Sequence, residues 1–551
     1  MELINQHTKK IMEGCKARAR DAGLRFEDET LEYIVTNRDL LELSPKIMIP
    51  TLYDYWVHDV EVLKEKGKYE LYPSNPYETV INTRPAISFY NDNNPDWLNV
   101  MIFYHVIAHI DFFQNNLFYK HTWDYDFTGQ ALADKRLIAQ LRSEKGRWLD
   151  YVIEFSRGID NLVNYYDTLS GFQRPVMPTL SPLLDYYFDV FLQSLYKSKI
   201  HEYIKEIERY NACVKEYGDL AEETFFRKVD ARYPEFRSVY KKNLNKKSEQ
   251  SSDVLQFLLE NSEFLNKEKN EWMKSVLHLV RNTSLFFQPQ IRTKIMNEGW
   301  ASYWHETLFL QDDRIKGHEV EFARVNAGVT SMPRVGLNPY ALGMRLFYYI
   351  EEMADKGCYS FEFKRIHDAE KRKNYDAKTG QGQEFIFKVR EDYCDYLFIN
   401  RFLEQEFITS NNLFVAGKRM NKAKMVWEYY VKSRKLKDYR KMVSDSLYHP
   451  PFIETEPEKS ENGALYLNHR FEDKPLVQDF IQNTLMGIEY LWGAEVHLET
   501  SEVVPEPASP RTQGMIAMPA APPTDKPVER VVKWQRVLYT MKNRKLSKKR
   551  I

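Results

Sequence analysis

The sequence predicts a mainly α fold, in which a large helical core is followed by a small α+β domain. Three observations carry the prediction. The 551 residues include 36 Tyr and 32 Phe but only 21 Gly, and many large flat side chains with few glycines suit a helix-rich interior. The run from Trp97 to Phe113 is apolar on nearly every side, as in a helix buried all round. From Met425 the rhythm changes to short strand-like segments interleaved with helices.

Composition narrows the function classes. The hydrophobic fraction is 43% and the charged fraction 28%, ordinary for a soluble globular protein long enough for more than one domain. Net charge is -1, so no global field attracts nucleic acid or an anionic membrane, and neither is expected as a partner. Cys15, Cys213, Cys358 and Cys394 form no CxxC pair. That removes zinc-ribbon spacing and a dense disulfide framework, and points to a reducing, cytoplasmic location. The N-terminal stretch lacks the apolar core of a signal peptide, and no window approaches 18 apolar residues, so no membrane span is expected.

In chain order, Ile4–Ala22, Leu31–Leu43 and a run beginning Tyr53–Val60 read as helices. Tyr77–Asn82 and Ala86–Tyr90 read as short strands. Asp96 can cap the apolar helix that follows. Gly129–Leu162 and Leu183–Glu216 read as helical, and 241–253 as a polar linker. Val254–Leu265 and Glu271–Phe287 are amphipathic. Gln288-Pro289-Gln290 interrupts before the helix bearing Glu298. Asn338-Pro339-Tyr340 opens a helix to Glu352, and Glu384–Phe407 is a further helix or pair. Then come Met425–Val431 (strand), Leu436–Leu447 (helix), Phe452–Glu456 and Ala464–His469 (strands), Pro475–Leu491 (helix) and Ala494–Glu499 (strand). That order is ferredoxin-like βαββαβ. The domains expected are therefore a core over 1–410, the α+β domain over 411–500, and a tail over 501–551. The tail is Pro/Ala-rich and disordered at first, then basic, either solvated or facing an anionic partner.

Two stretches carry chemistry. His105 and His109, four apart, share one helical face, which is how a helix presents two imidazoles to zinc. Zinc hydrolases with two helical His can complete the shell with a Glu on a later helix, and Glu298 in Glu298-Gly299-Trp300-Ala301-Ser302-Tyr303 fits. His105, His109 and Glu298 are thus the candidate metal ligands, zinc the candidate cofactor, and the core zincin-like. The plainer alternative is a buried Glu298 hydrogen-bonded to the histidines without metal. Val106 stands where a metalloprotease helix has its Glu base, so proton handling falls to His305, seven residues past Glu298, or to Asp111. Gly299 and Ala301 would let the Glu298 helix approach the His105 helix closely, and Trp300, Tyr303 and Trp304 would form an aromatic wall. Glu154, Asp160 and Tyr340 are further lining candidates.

Several of these pieces carry a family resemblance. Tyr77-Glu78-Thr79-Val80-Ile81-Asn82-Thr83-Arg84-Pro85, His109-Ile110-Asp111-Phe112-Phe113-Gln114-Asn115-Asn116, Lys294-Ile295-Met296-Asn297-Glu298-Gly299-Trp300-Ala301 and Leu337-Asn338-Pro339-Tyr340-Ala341-Leu342-Gly343 resemble the stage V sporulation protein R (SpoVR-like) family. Gln114 stands where that family tends to have Lys. The resemblance implies a cytoplasmic protein of spore cortex assembly or stress response. It also implies association with a serine protein kinase of the PrkA type and a von Willebrand-type protein. Two functions follow as expectations: a metal-dependent hydrolase of peptide or amide bonds, or a non-catalytic assembly protein in a kinase-linked complex.

Overall fold

The computed structural model describes residues 2–36, 78–165, 181–195, 200–241, 253–421, 425–460, 463–472, 474–503 and 534–551. It is mainly helical and divides into two units, residues 1–161 with 267–451, and residues 162–266 with 452–551.

The first unit begins with strands β1 (Glu2–Leu3), β2 (Thr30–Val35), β3 (Glu78–Ile81) and β4 (Ala86–Asn91), in sheet order β1-β2-β4-β3. Helix α1 (Gln6–Asp21) links the first two. The expected helix over Leu31–Leu43 is not formed in its described part. Leu31 to Val35 instead pairs in parallel with Ile87 to Asn91, as suits the β-branched and aromatic run Tyr33-Ile34-Val35. The expected helix at Tyr53–Val60 lies outside the described residues. The two expected strands are β3 and β4.

Helix α2 (Asp96–Asn115) is buried at every residue from Leu98 to Phe113. Pro95 holds its N-cap position. Asp96 is the first helical residue, where its charge suits the positive end of the helix, and it pairs with His7 at 2.9 Å. The helix expected from Gly129 is split into α3 (Phe127–Lys145) and α4 (Arg147–Arg157). Gly146 between them takes φ +56°, a left-handed conformation that stops a helix.

Helix α5 (Glu271–Arg292) runs through Pro289 instead of stopping there. The break falls at Thr293, whose hydroxyl donates to the Pro289 carbonyl at 2.7 Å, and α6 (Lys294–Leu310) follows. The later helices are α7 (Glu319–Thr330), α8 (Pro339–Asp355), α9 (Gly382–Asp392) and α10 (Asp395–Phe402). Asn338 caps α8 by accepting from the Tyr340 amide at 3.1 Å, with Pro339 in the first turn. Helices α2, α6, α8, α9 and α10 share one hydrophobic core.

The close approach expected at Gly299 exists, but its partner is α8. A Cβ on Gly299 would lie 2.4 Å from the Gly343 backbone, and one on Gly343 would lie 2.1 Å from the Ile295 carbonyl oxygen. The unit ends with a two-stranded hairpin, β5 (Val415–Asn421) with β6 (Val426–Ser433), and helix α11 (Leu436–Ser446).

The second unit contains helices Ile200–Tyr217, Ala221–Arg232 and Val254–Asn261. Tyr187, Phe191, Phe225, Phe226 and Phe236 form an aromatic core within it. It also holds β7 (Ile453–Thr455), β8 (Leu465–His469), helix α12 (Gln478–Trp492), β9 (Val496–Val503), β10 (Trp534–Lys542) and β11 (Lys545–Arg550). The sheet order is β11-β10-β9-β8-β7.

The six elements expected for the ferredoxin-like domain are all present, but their four strands do not share a sheet among the described residues. β6 pairs with β5 alone, and the edge of β9 is taken by β10. The basic tail is correspondingly a strand pair over Trp534–Arg550. In β10, Val537, Tyr539 and Met541 are buried in alternation, the strand period. Lysines on the edge strand β11 discourage edge-to-edge association. The Pro/Ala-rich 504–533 lies outside the described residues. No helix among the described residues is long and apolar enough to cross a membrane.

Candidate metal centre

Helix α2 places His105 and His109 one turn apart, with ring centroids 4.6 Å apart. Helix α6 brings Asn297, Glu298 and His305 to them. The hydrogen bonds fix how each imidazole is used. Asn326 on α7 accepts from His305 Nε2 at 2.8 Å. Burial, and next the charge of His105, push the His305 pKa down to about 3, so the ring is neutral and its Nδ1 is an acceptor. His105 Nδ1 donates to it at 2.8 Å. His109 Nδ1 donates to Asn297 Oδ1 at 2.9 Å. Both histidines therefore turn Nε2 toward Glu298.

Glu298 Oε2 lies 3.6 Å from His109 Nε2 and 3.9 Å from His105 Nε2. One ligand atom from each of the three residues lies within 4.8 Å of the others. Burial alone would raise the Glu298 carboxyl. The nearby His105 imidazole, the charge of His109 and the Tyr340 hydroxyl outweigh it and hold the pKa below the usual range. A carboxylate facing two imidazole nitrogens calls for positive charge at their meeting point, as a proton shared between them or as a metal ion. Four ligands held about 2.0–2.1 Å from a tetrahedral centre are about 3.4 Å apart. The two imidazole–carboxylate separations, 3.6 and 3.9 Å, are wider than that, so an ion would draw the three ligand atoms together from the 4.8 Å within which they now lie.

The surroundings hold this arrangement in place. Asp395, at the start of α10, accepts from the amides of Ile295 and Met296, each at 2.9 Å. It caps α6 about one turn before Glu298 and fixes the rotation of that helix. Burial, with the Glu298 charge adding, pushes the Asp395 pKa up to about 7.

Asp111, expected as a proton carrier, is 0% exposed. It accepts from Trp300 Nε1 at 2.8 Å and from the Arg25 amide at 2.7 Å, and it lies 3.4 Å from Arg390 Nε. It ties α2 to α6 and α9. The expected aromatic wall is built mostly elsewhere. Trp300 packs on Phe347 and Phe387, and Tyr303 donates to Glu351 at 2.7 Å. The rings beside the histidines are Tyr340, stacked on His105 at 6.1 Å, and Phe322, edge-on to His305 at 6.2 Å. Glu154 is exposed and pairs with Arg157, while Asp160 lends its carbonyl to Ser284. Of the three further lining candidates, Tyr340 alone touches the cluster.

Sequence reasoning missed two residues. Asn297 had a signal, since it stands beside Glu298 in the Asn-Glu-Gly-Trp-Ala run. Asn326 had none, because it lies on a separate helix with no motif around it.

Residues 2–449 match the family model described as SpoVR like protein. The chain belongs to the SpoVR family. The match spans His105, His109, Glu298, His305 and Asn326 and ends before β7. This SpoVR-family chain is also similar to the uncharacterized protein YcgB of Escherichia coli (strain K12), 23% identical over 396 residues, 69% of each chain. No solved structure matches. SpoVR membership implies a sporulation-related protein.

Proposed function

We propose that His105, His109 and Glu298 hold a divalent metal ion, zinc by the type of its donors, and that this SpoVR-family protein is a metal-dependent hydrolase of peptide or amide bonds. One observation carries the reading. Both imidazoles give their Nδ1 hydrogen to a fixed acceptor, so both Nε2 atoms face the Glu298 carboxylate. Outer partners of this kind fix the tautomer of metal-binding histidines. Two His and one carboxylate are also the protein ligands of zinc hydrolases that keep a fourth position open.

A metal bound there would lower the pKa of a coordinated water toward neutrality. The remaining roles fall to the chain itself. Glu298 supplies negative charge. Asn297 and His305 set the direction of the two imidazoles, which makes His305 a positioning residue acting through His105. Asp111 braces the helices that carry the ligands. The Tyr340 hydroxyl, stacked beside His105, gives its hydrogen to Glu298 and helps keep that carboxylate charged.

Zinc-loaded and chelator-treated protein should be incubated with peptides and cell-wall fragments containing amide bonds, with products read by mass spectrometry. The reading predicts cleavage that requires zinc and is lost in Glu298→Gln. Fully loaded protein that leaves every amide intact would contradict hydrolysis.

A second reading rests on Val106, which is fully buried where a metalloprotease helix carries its base. It is a non-catalytic, cytoplasmic assembly protein of spore cortex formation, linked to a PrkA-type serine kinase and a von Willebrand-type protein. Capture of the kinase that survives His109→Ala supports this reading. Dependence of capture on His109 favours the metal reading.

A further inference from the structure

The hairpin β5–β6 carries a surface unlike the rest of the chain. It pairs with no other strand among the described residues, yet β6 is rich in large side chains left in solvent. Trp427 is 56% and Tyr429 57% exposed, with Val426, Tyr430, Val431 and Met420 also exposed. Strand register sorts these side chains by face. Met420 lies opposite Trp427, Lys418 opposite Tyr429, and Ala416 opposite Val431. Directly opposed residues share a face, so Trp427, Tyr429, Met420 and Lys418 stand together. The Lys418 ammonium lies 4.6 Å from the Trp427 ring and 6.0 Å from that of Tyr429.

Charge is concentrated in and just after the same hairpin, with Lys418 on the ring face and Arg419 on the other face, paired with Glu428 at 3.6 Å. Residues 415–421 and 425–437 hold Lys418, Arg419, Lys432, Arg434, Lys435 and Lys437 against Glu428 alone, in a protein of net charge -1. All six cations are exposed. A purely apolar docking strand has no use for this charge, and a purely electrostatic patch has no use for two open rings. Rings interleaved with cations match a ligand that alternates flat apolar groups with anions.

We propose that the β5–β6 hairpin binds single-stranded nucleic acid, with Trp427 and Tyr429 stacking successive bases and Lys418 and the neighbouring cations meeting the phosphates. The two rings are two residues apart on a strand, about 7 Å, so each can take one base of an unstacked strand. Overall charge argued against a nucleic-acid partner, because a net value averages this patch away. The proposal does not depend on the metal centre, which lies on α2 and α6.

The test uses the full chain and fluorescein-labelled oligouridylate and oligothymidylate of about twelve nucleotides, read by fluorescence anisotropy across salt concentrations. Both oligonucleotides should bind, more weakly as salt rises, and a preference between them would identify RNA or DNA as the source. Trp427→Val keeps a β-branched strand former but removes the ring, and should weaken binding about tenfold. Trp427→Phe should retain most of it. Lys418→Ala should flatten the dependence of log affinity on log salt by about 0.7. The proposal is overturned if neither oligonucleotide binds, if Trp427→Val binds like the parent, or if polyphosphate or phosphatidylglycerol vesicles compete as well as the oligonucleotides do.

Discussion

His105 Nδ1 lies 2.8 Å from His305 Nδ1, and that contact decides which nitrogen of His105 reaches the centre. His305→Ala should therefore weaken zinc binding about 10- to 100-fold while leaving all three ligands in place. Competition with a chelating dye measures this. An unchanged affinity would remove His305 from the account.

Gly299 and Gly343 let α6 and α8 meet backbone to backbone. A methyl group on Gly343 would lie 2.1 Å from the Ile295 carbonyl oxygen, far inside contact distance. Gly343→Ala should cost about 1–3 kcal/mol and lower the melting temperature. Metal affinity should fall with it, since Ile295 lies one turn before Glu298. A melting curve that does not move would show that the helices slide apart at no cost.

Asp395 gives a pH signature. Its folded pKa, pushed up to about 7 by burial and the Glu298 charge, exceeds the unfolded value of about 3.9. The folded state then holds a proton across that window that the unfolded state releases. The group's contribution to stability is intact below about pH 4 and is lost as pH rises through about 7. Urea unfolding of metal-free protein at several pH values should show that Asp395→Asn removes this downward component. Parallel pH profiles for parent and variant would contradict the assignment.

Removing residues 534–551 should expose the edge of β9 and its backbone hydrogen-bonding groups. The truncated chain should associate, as seen by light scattering after gel filtration. A monodisperse truncated protein would mean that the β9 edge is protected by another route.

Much of this was legible in the sequence because the signals were local. The apolar helix α2 announces itself by composition, and the His105–His109 spacing with Glu298 named the three residues that meet. The failures have a common cause in tertiary pairing. Leu31–Val35 carries both helical and strand patterns, and its parallel neighbour β4 decides between them. The six expected elements are present, but β5 before them was missed, and order does not say which strands pair: β6 turned to β5. Val537, Tyr539 and Met541 alternate as a strand should, yet the surrounding lysines and arginines suggested a solvated tail. Gly299 was rightly read as a close-contact residue, and only the fold could say that Gly343 was its partner.

The central claim, a metal held by His105, His109 and Glu298, is tested most directly by metal content. Protein purified without chelator or affinity metal should be measured by elemental mass spectrometry beside His109→Ala and Glu298→Ala, each also after zinc is added back and the excess removed. The account predicts near-stoichiometric zinc in the parent and its loss in both variants, with folding retained by circular dichroism. A parent that holds no zinc even after add-back would contradict it, and would leave the three residues as a hydrogen-bonded core.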